Sequence, residues 1–124
     1  MIEFSLVMSD LISFADFTRM DIRVGRVVKV EVPSGSAHVY RLTISFGPAF
    51  AKASGGKERI IFSGLKQSYE IDELLDKQVV CMVNLEPKKG MGEESQGMLL
   101  AVDSEKRPVL IVPAEKVVDG SRIR

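Results

Sequence analysis

The stretch Asn84-Leu85-Glu86-Pro87-Lys88-Lys89-Gly90-Met91-Gly92-Glu93-Glu94-Ser95-Gln96-Gly97-Met98 gathers side chains that suit a polyanionic ligand. Lys88 and Lys89 bring positive charge for phosphate oxygens. Asn84 and Ser95 bring donors and acceptors for sugar or base edges, and Met91 or Met98 can press against a base face. Gly90, Gly92 and Gly97 permit close approach of backbone and ligand. A connection of about a dozen residues is long for a small domain, and such loops are usually functional or disordered. The same residues also fit a solvated hairpin, a reading that Glu86, Glu93 and Glu94 favour. Asn84 and Ser95 are equally suited to hydrogen-bonding across the loop and holding its shape.

Other chemistries lack their parts. Zinc centres need several His or Cys ligands, whereas the chain has His38 and Cys81 alone. A phosphate-cradling P-loop needs a glycine five residues before Gly56 and a hydroxyl after Lys57, and the chain has Ala51 and Glu58 there. Ser63-Gly64-Leu65-Lys66 has the serine-x-x-lysine spacing of acyl-transfer enzymes without the companion Ser-Asp-Asn and Lys-Thr-Gly elements. His38 beside Ser36 lacks a third, orienting group and reads as turn chemistry. The expectation is a binding domain and not an enzyme, with no metal and no cofactor.

The scaffold that positions these residues is small. At 124 residues the chain fits one domain, and 45% hydrophobic with 27% charged residues is an ordinary globular mixture. No run of about 18 apolar residues could cross a bilayer as a helix, and Met1 to Met8 lacks the basic start of a secretory signal. A cytoplasmic protein is expected, with Met8 an alternative start. Cys81, inside the apolar run Val79 to Val83, reads as a buried hydrophobe. With 17 basic and 17 acidic residues, any nucleic-acid surface must arise from local segregation of charge.

Ser13-Phe14-Ala15-Asp16 predicts a capped helix of one or two turns, with Phe14, Phe17 and Met20 on one face. Ile22 to Val32 predicts a long strand bent at Gly25 by a bulge or a close approach. Tyr40, Leu42, Ile44 and Phe46 alternate with polar residues, the pattern of a strand wet on one face. Gly47 to Lys57 is expected to be a mobile connection, Arg59 to Ser63 a strand, and Tyr69 to Lys77 a turn or two of helix. Gln78 to Asn84 is a strand apolar on both faces, central in its sheet or covered by a partner, which motivates a dimer. Met98 to Val102 and Val109 to Val112 form the last strand pair, and Val117 to Arg124 a tail. The fold class predicted is all-β: a five-stranded oligonucleotide-binding (OB) barrel with short helical segments and N- and C-terminal extensions.

From about Phe14 to Ile123 the sequence resembles the stand-alone tRNA-binding domain family, which includes structure-specific tRNA-binding proteins, CsaA chaperones and the C-terminal domain of methionyl-tRNA synthetases. The resemblance rests on Phe17-Thr18-Arg19-Met20-Asp21-Ile22-Arg23-Val24-Gly25, on Ser63-Gly64-Leu65, on Asn84-Leu85-x-Pro, and on Ser95-Gln96-Gly97-Met98-Leu99-Leu100. It implies residues 1–13 as an N-terminal extension and 14–124 as a non-catalytic domain recognising tRNA by shape as a homodimer. Methionyl-tRNA synthetase and unfolded or preprotein clients are the alternative partners it implies.

Carried over by position, the resemblance implies a ligand face of Arg23, Ser63, Asn84, Lys88, Lys89 and Ser95. Arg41, on the polar face of the second strand, and Lys57 and Arg59, beside the glycine loop, extend a basic groove or are ordinary surface charges. The chain departs from the family in three places. Ser36-Ala37-His38-Val39-Tyr40 lacks a lysine many members carry, Met91 stands where many have arginine, and Glu86 where lysine is common. Leu42-Thr43-Ile44-Ser45-Phe46-Gly47 is similar to the chaperone branch, while Gly97-Met98-Leu99-Leu100 is similar to the synthetase branch. Weaker, shape-based tRNA binding is expected.

Overall fold

The β-branched run after Met20 forms strand β1, Ile22–Glu31, around which the sheet is organised in a computed structural model that describes residues 10–54, 56–90 and 92–124. The apolar stretch Met1 to Met8 and the side chain of Met91, both singled out above, lie outside the described residues. Strands β2 (Tyr40–Ser45), β3 (Glu58–Ser63), β4 (Gln78–Met82), β5 (Lys88–Gly90), β6 (Glu93–Ser95), β7 (Met98–Leu99), β8 (Ala101–Val102) and β9 (Val109–Leu110) follow, with short helices α1 (Phe14–Arg19), α2 (Gly47–Ser54) and α3 (Ile71–Leu74). The main sheet is antiparallel and five-stranded, in the order β3-β2-β1-β4-β7.

β1 is long because it serves two partners. Its first half pairs Ile22–Arg26 with Met82–Gln78 of β4, and its second half pairs Arg26–Glu31 with Ser45–Arg41 of β2. The bend has two separate causes. At Gly25 a Cβ would stand 2.6 Å from Ile44 Cγ2 and from the Phe46 ring, so the glycine lets β1 lie against the core. The register shift falls later, between Val27 and Lys29.

The far edges of the sheet are joined by side chains. Ile60 N–H donates to Gln96 Oε1 at 2.8 Å, Gln96 N–H donates to the Ile60 carbonyl at 2.8 Å, and Phe62 N–H donates to Ser95 Oγ at 3.2 Å. This seam draws β3 against the chain leading into β7, and the sheet curls into the predicted all-β OB-type barrel around Leu42, Ile44, Phe46, Ile61, Leu65, Leu74, Val79 and Cys81. Each Leu, Ile, Val or Phe side chain among them contributes roughly 1.5–3 kcal/mol on burial.

Two local expectations are corrected and one alternative is decided. Gly47 to Lys57 is not a bare connection, because Gly47–Ser54 is α2. Pro48 occupies the first turn, where its missing N–H costs nothing, and alanines follow. The Met98 to Val102 strand divides: β7 pairs with β4, whereas β8 pairs with β9. Of the two placements expected for the two-sided β4 the central one is found, between β1 and β7, with Val79, Val80 and Cys81 buried. Segment 117–123 lies along β1 there. Val24 N–H donates to the Ser121 carbonyl at 2.9 Å, and the Gln78 amide exchanges hydrogen bonds with the Val117 backbone at 2.6 and 3.1 Å. The predicted capping box is present, with Asp16 N–H on Ser13 Oγ at 3.0 Å.

Candidate nucleic-acid interface

Alternation along β2 sends Leu42 and Ile44 inward and Arg41 and Thr43 to the other, outer face, but that face is not the wet one expected, because Thr43 and Ser45 are buried too and Arg41 alone is partly exposed. Register then aligns Glu31, Arg41 and Phe62 in one row across β1, β2 and β3, and Lys29, Thr43 and Ile60 in the next. The long connection from β4 folds over the first row as a two-stranded ribbon, Lys88 opposite Ser95 and Lys89 opposite Glu94. Between ribbon and barrel lies a concavity of about 320 Å³ lined by the apolar side chains of Phe62, Leu85 and Met98 and by the charged residues Lys88, Lys89 and Glu86. Leu85 and Met98 are exposed, so hydrocarbon and ammonium groups face the solvent together.

The residues proposed from sequence fall into three groups. Lys57, Arg59, Lys88 and Lys89 pair with no carboxylate among the described residues. Both lysines of the ribbon and Lys57 are exposed. Arg59 is half-buried, 5.1 Å from the Phe50 ring centroid, and reaches the Val83 and Gln96 carbonyls at 3.4 and 3.3 Å.

Arg23 and Arg41 are already paired. Arg23 Nε meets Asp21 at 2.8 Å and its Nη1 donates to the Gly120 carbonyl at 3.1 Å, with its guanidinium 5.3 Å from the Phe50 ring. Arg41 Nε and Nη2 take both carboxylate oxygens of Glu93, and Nη1 takes Glu31 at 2.6 Å. The Arg41 guanidinium beside Glu93 holds that carboxyl below its ordinary range, and the two carboxylates in turn raise Arg41.

The polar residues are engaged with backbone. Asn84 Oδ1 accepts from Asp21 N–H at 2.8 Å, and Asn84 Nδ2 donates to the Arg19 carbonyl at 2.6 Å. Ser95 Oγ accepts from Phe62 N–H and donates to the Gly97 carbonyl at 3.1 Å. Ser63 ends β3 opposite Tyr40, and its carbonyl accepts from Leu65 N–H at 2.9 Å. Lys66 of the serine-x-x-lysine stretch donates its Nζ to the Ser36 carbonyl at 2.9 Å.

Two features were missed in the sequence. Phe62 stands on the outer face beside Arg41, which the inward setting of Ile61 in β3 would have shown. Phe50 unites Arg23 and Arg59, and that follows from α2, which Pro48 disguised as a loop.

Residues 22–122 match the family described as "Putative tRNA binding domain". The chain belongs to that family. Among curated proteins, this tRNA-binding domain is 37% identical over 113 residues to the methionine–tRNA ligase of Pyrococcus furiosus and 39% identical over 112 residues to that of Archaeoglobus fulgidus. These matches cover 91% and 90% of the chain but 14% and 16% of the ligases, so it corresponds to one segment of much longer proteins. Among solved structures it superposes on a MetRS-related protein of Pyrococcus horikoshii with a TM-score of 0.79 at 32% identity, covering 92% of this chain and 98% of that one. The chaperone CsaA of Bacillus anthracis gives a TM-score of 0.78 at 26% identity, covering 92% and 99%. Among the described residues no helix is long and apolar enough to cross a membrane.

Proposed function

We propose that this tRNA-binding domain is a non-catalytic, cytoplasmic protein that recognises tRNA by shape as a homodimer. The observation that carries the reading is the concavity under the ribbon, where Lys88 and Lys89 border an apolar wall of Phe62, Leu85 and Met98. It lies on the face made by β2, β3 and the β4-to-β7 connection, the surface OB barrels use for oligonucleotides. Lysines that pair with no carboxylate among the described residues are available to neutralise phosphates, and Phe62 and Met98 offer surfaces for an unstacked base. Two barrels related by symmetry would span a folded RNA. Segments of methionine–tRNA ligases share more than a third of their residues with this chain, so docking to such a synthetase is the second part of the reading.

The test is binding of bulk tRNA across a salt series by the wild type and by Lys88→Ala/Lys89→Ala. Each phosphate contact contributes about 0.7–0.9 to the slope of log affinity against log salt, so the double variant should lose up to about two units. No binding at low salt, or an unchanged slope, defeats the proposal. The apolar wall and the likeness to CsaA support one other reading, capture of extended polypeptide. Peptide binding that survives high salt and is not competed by tRNA would favour that reading.

A further inference from the structure

Arg41 stands at the centre of the outer face, one strand from Phe62, yet its charge is already taken by two carboxylates. The two partners differ. Glu31 belongs to β1, directly opposite Arg41 in the sheet, and also meets Lys29 at 3.6 Å. Glu93 belongs to the ribbon and reaches Arg41 from 52 positions away in the chain. It presents one oxygen to Nε and the other to Nη2, and this side-on, two-oxygen approach is how a guanidinium takes a phosphate group.

We propose that Glu93 is an intramolecular stand-in for an RNA phosphate, and that tRNA engages Arg41 only by displacing it. The inference rests on the tRNA-binding reading above and names the residue that sets its strength. A phosphodiester carries the same single negative charge as the carboxylate and fits the same fork, so the exchange leaves Arg41 paired throughout. Glu93 can let go without unravelling the barrel, because Ser95 and Gln96 hold the base of the ribbon to β3 independently. Glu93 and Arg41 are both partly exposed, at 45% and 27% of their side-chain surface, so a ligand can reach the pair. Glu94, which lies opposite Lys89 and not Arg41, is the control for charge on the ribbon. It neighbours Glu93 on the same ribbon, is exposed, and pairs with no cation among the described residues.

The experiment measures bulk tRNA affinity at low salt for the wild type, Glu93→Gln, Glu94→Gln, Arg41→Ala and Glu93→Gln/Arg41→Ala, with thermal unfolding confirming that each variant folds. Glu93→Gln should tighten binding about threefold or more and steepen the salt slope by up to about one unit. Arg41→Ala should weaken binding in the wild-type background, because it removes the fork that takes the phosphate and leaves Glu31 and Glu93 uncompensated, and should abolish the gain in the Glu93→Gln background. An unchanged or weaker Glu93→Gln overturns the proposal. So does an equal gain from Glu94→Gln, or a gain that persists without Arg41, since either would reduce Glu93 to general charge repulsion. If the wild type binds and these patterns are absent, this inference alone fails; if no variant binds, the tRNA reading fails and this one with it.

Discussion

The side-chain amide of Asn84 grips the backbone on both sides of Met20, accepting from Asp21 N–H at 2.8 Å and donating to the Arg19 carbonyl at 2.6 Å. It thereby ties the end of β4 to the corner where α1 turns into β1. A residue carried over as a ligand contact thus also serves the fold, with its oxygen and one amide N–H engaged. Asn84→Ala should cost about 1–3 kcal/mol in urea unfolding, since two hydrogen bonds are lost and two backbone groups must find water. Asn84→Asp keeps the acceptor but sets a carboxylate against the Arg19 carbonyl, so it should recover only part of that loss.

Gln96 makes the equivalent closure at the other edge. Its side chain and backbone together complete a two-bond exchange with Ile60, as a strand residue would. Gln96→Ala should lower stability by about 1 kcal/mol, because the side chain is exposed and water can replace it on Ile60 N–H. Hydrogen exchange at the Ile60 amide should accelerate more than exchange in β1, which would place the opening at the seam.

Much of the barrel was legible because its strands advertise themselves. The alternation of Leu42 and Ile44 with Arg41 and Thr43 gave β2 and its core face, though not the wet opposite face, since Thr43 and Ser45 are covered, and the β-branched run with one glycine gave β1. What was hidden is the use of polar side chains as substitutes for backbone. Asn84, Ser95 and Gln96 occupy a motif whose spacing suits a ligand site equally well, and only register shows what they meet. Charge was hidden for the same reason. Arg41 and Glu93 are 52 positions apart, so nothing local announces that one neutralises the other. Lys88 and Lys89 are successive ribbon positions, opposite Ser95 and Glu94, and both line the concavity, which adjacency in sequence alone does not ensure because successive strand side chains alternate faces.

Gly120 tests how tightly segment 117–123 is fitted. Its φ of +92° is disfavoured for side chains, and a Cβ would stand 2.1 Å from the Phe46 carbonyl oxygen. Gly120→Ala should cost at least about 2 kcal/mol, combining backbone strain with a clash that no rotamer can relieve. Gly25→Ala meets side chains of Ile44 and Phe46, which can shift, and should cost less. Equal losses for the two variants in chemical denaturation would contradict this ranking.

Cys81 gives stability an alkaline limb. It is fully buried in the core, and burial pushes its thiol from an ordinary 9.0 up to about 12. The unfolded thiol therefore ionises first, and above pH 9 the unfolded chain binds fewer protons than the native one. The stabilising effect of the neutral thiol is complete below the unfolded value and is lost as pH rises toward the folded one, with a slope approaching roughly 1.4 kcal/mol per pH unit. Tyr40, raised by its own burial and then by Glu70 and Glu73, adds to the loss only above its ordinary 10.0. The interval between pH 9 and 10 thus isolates Cys81. Cys81→Ala should be less stable at neutral pH, through the cavity it leaves, but should show a flatter profile across that interval. Thiol-specific reagents should modify the native wild type only as fast as it opens, so their rate should rise with added urea in step with the unfolded fraction.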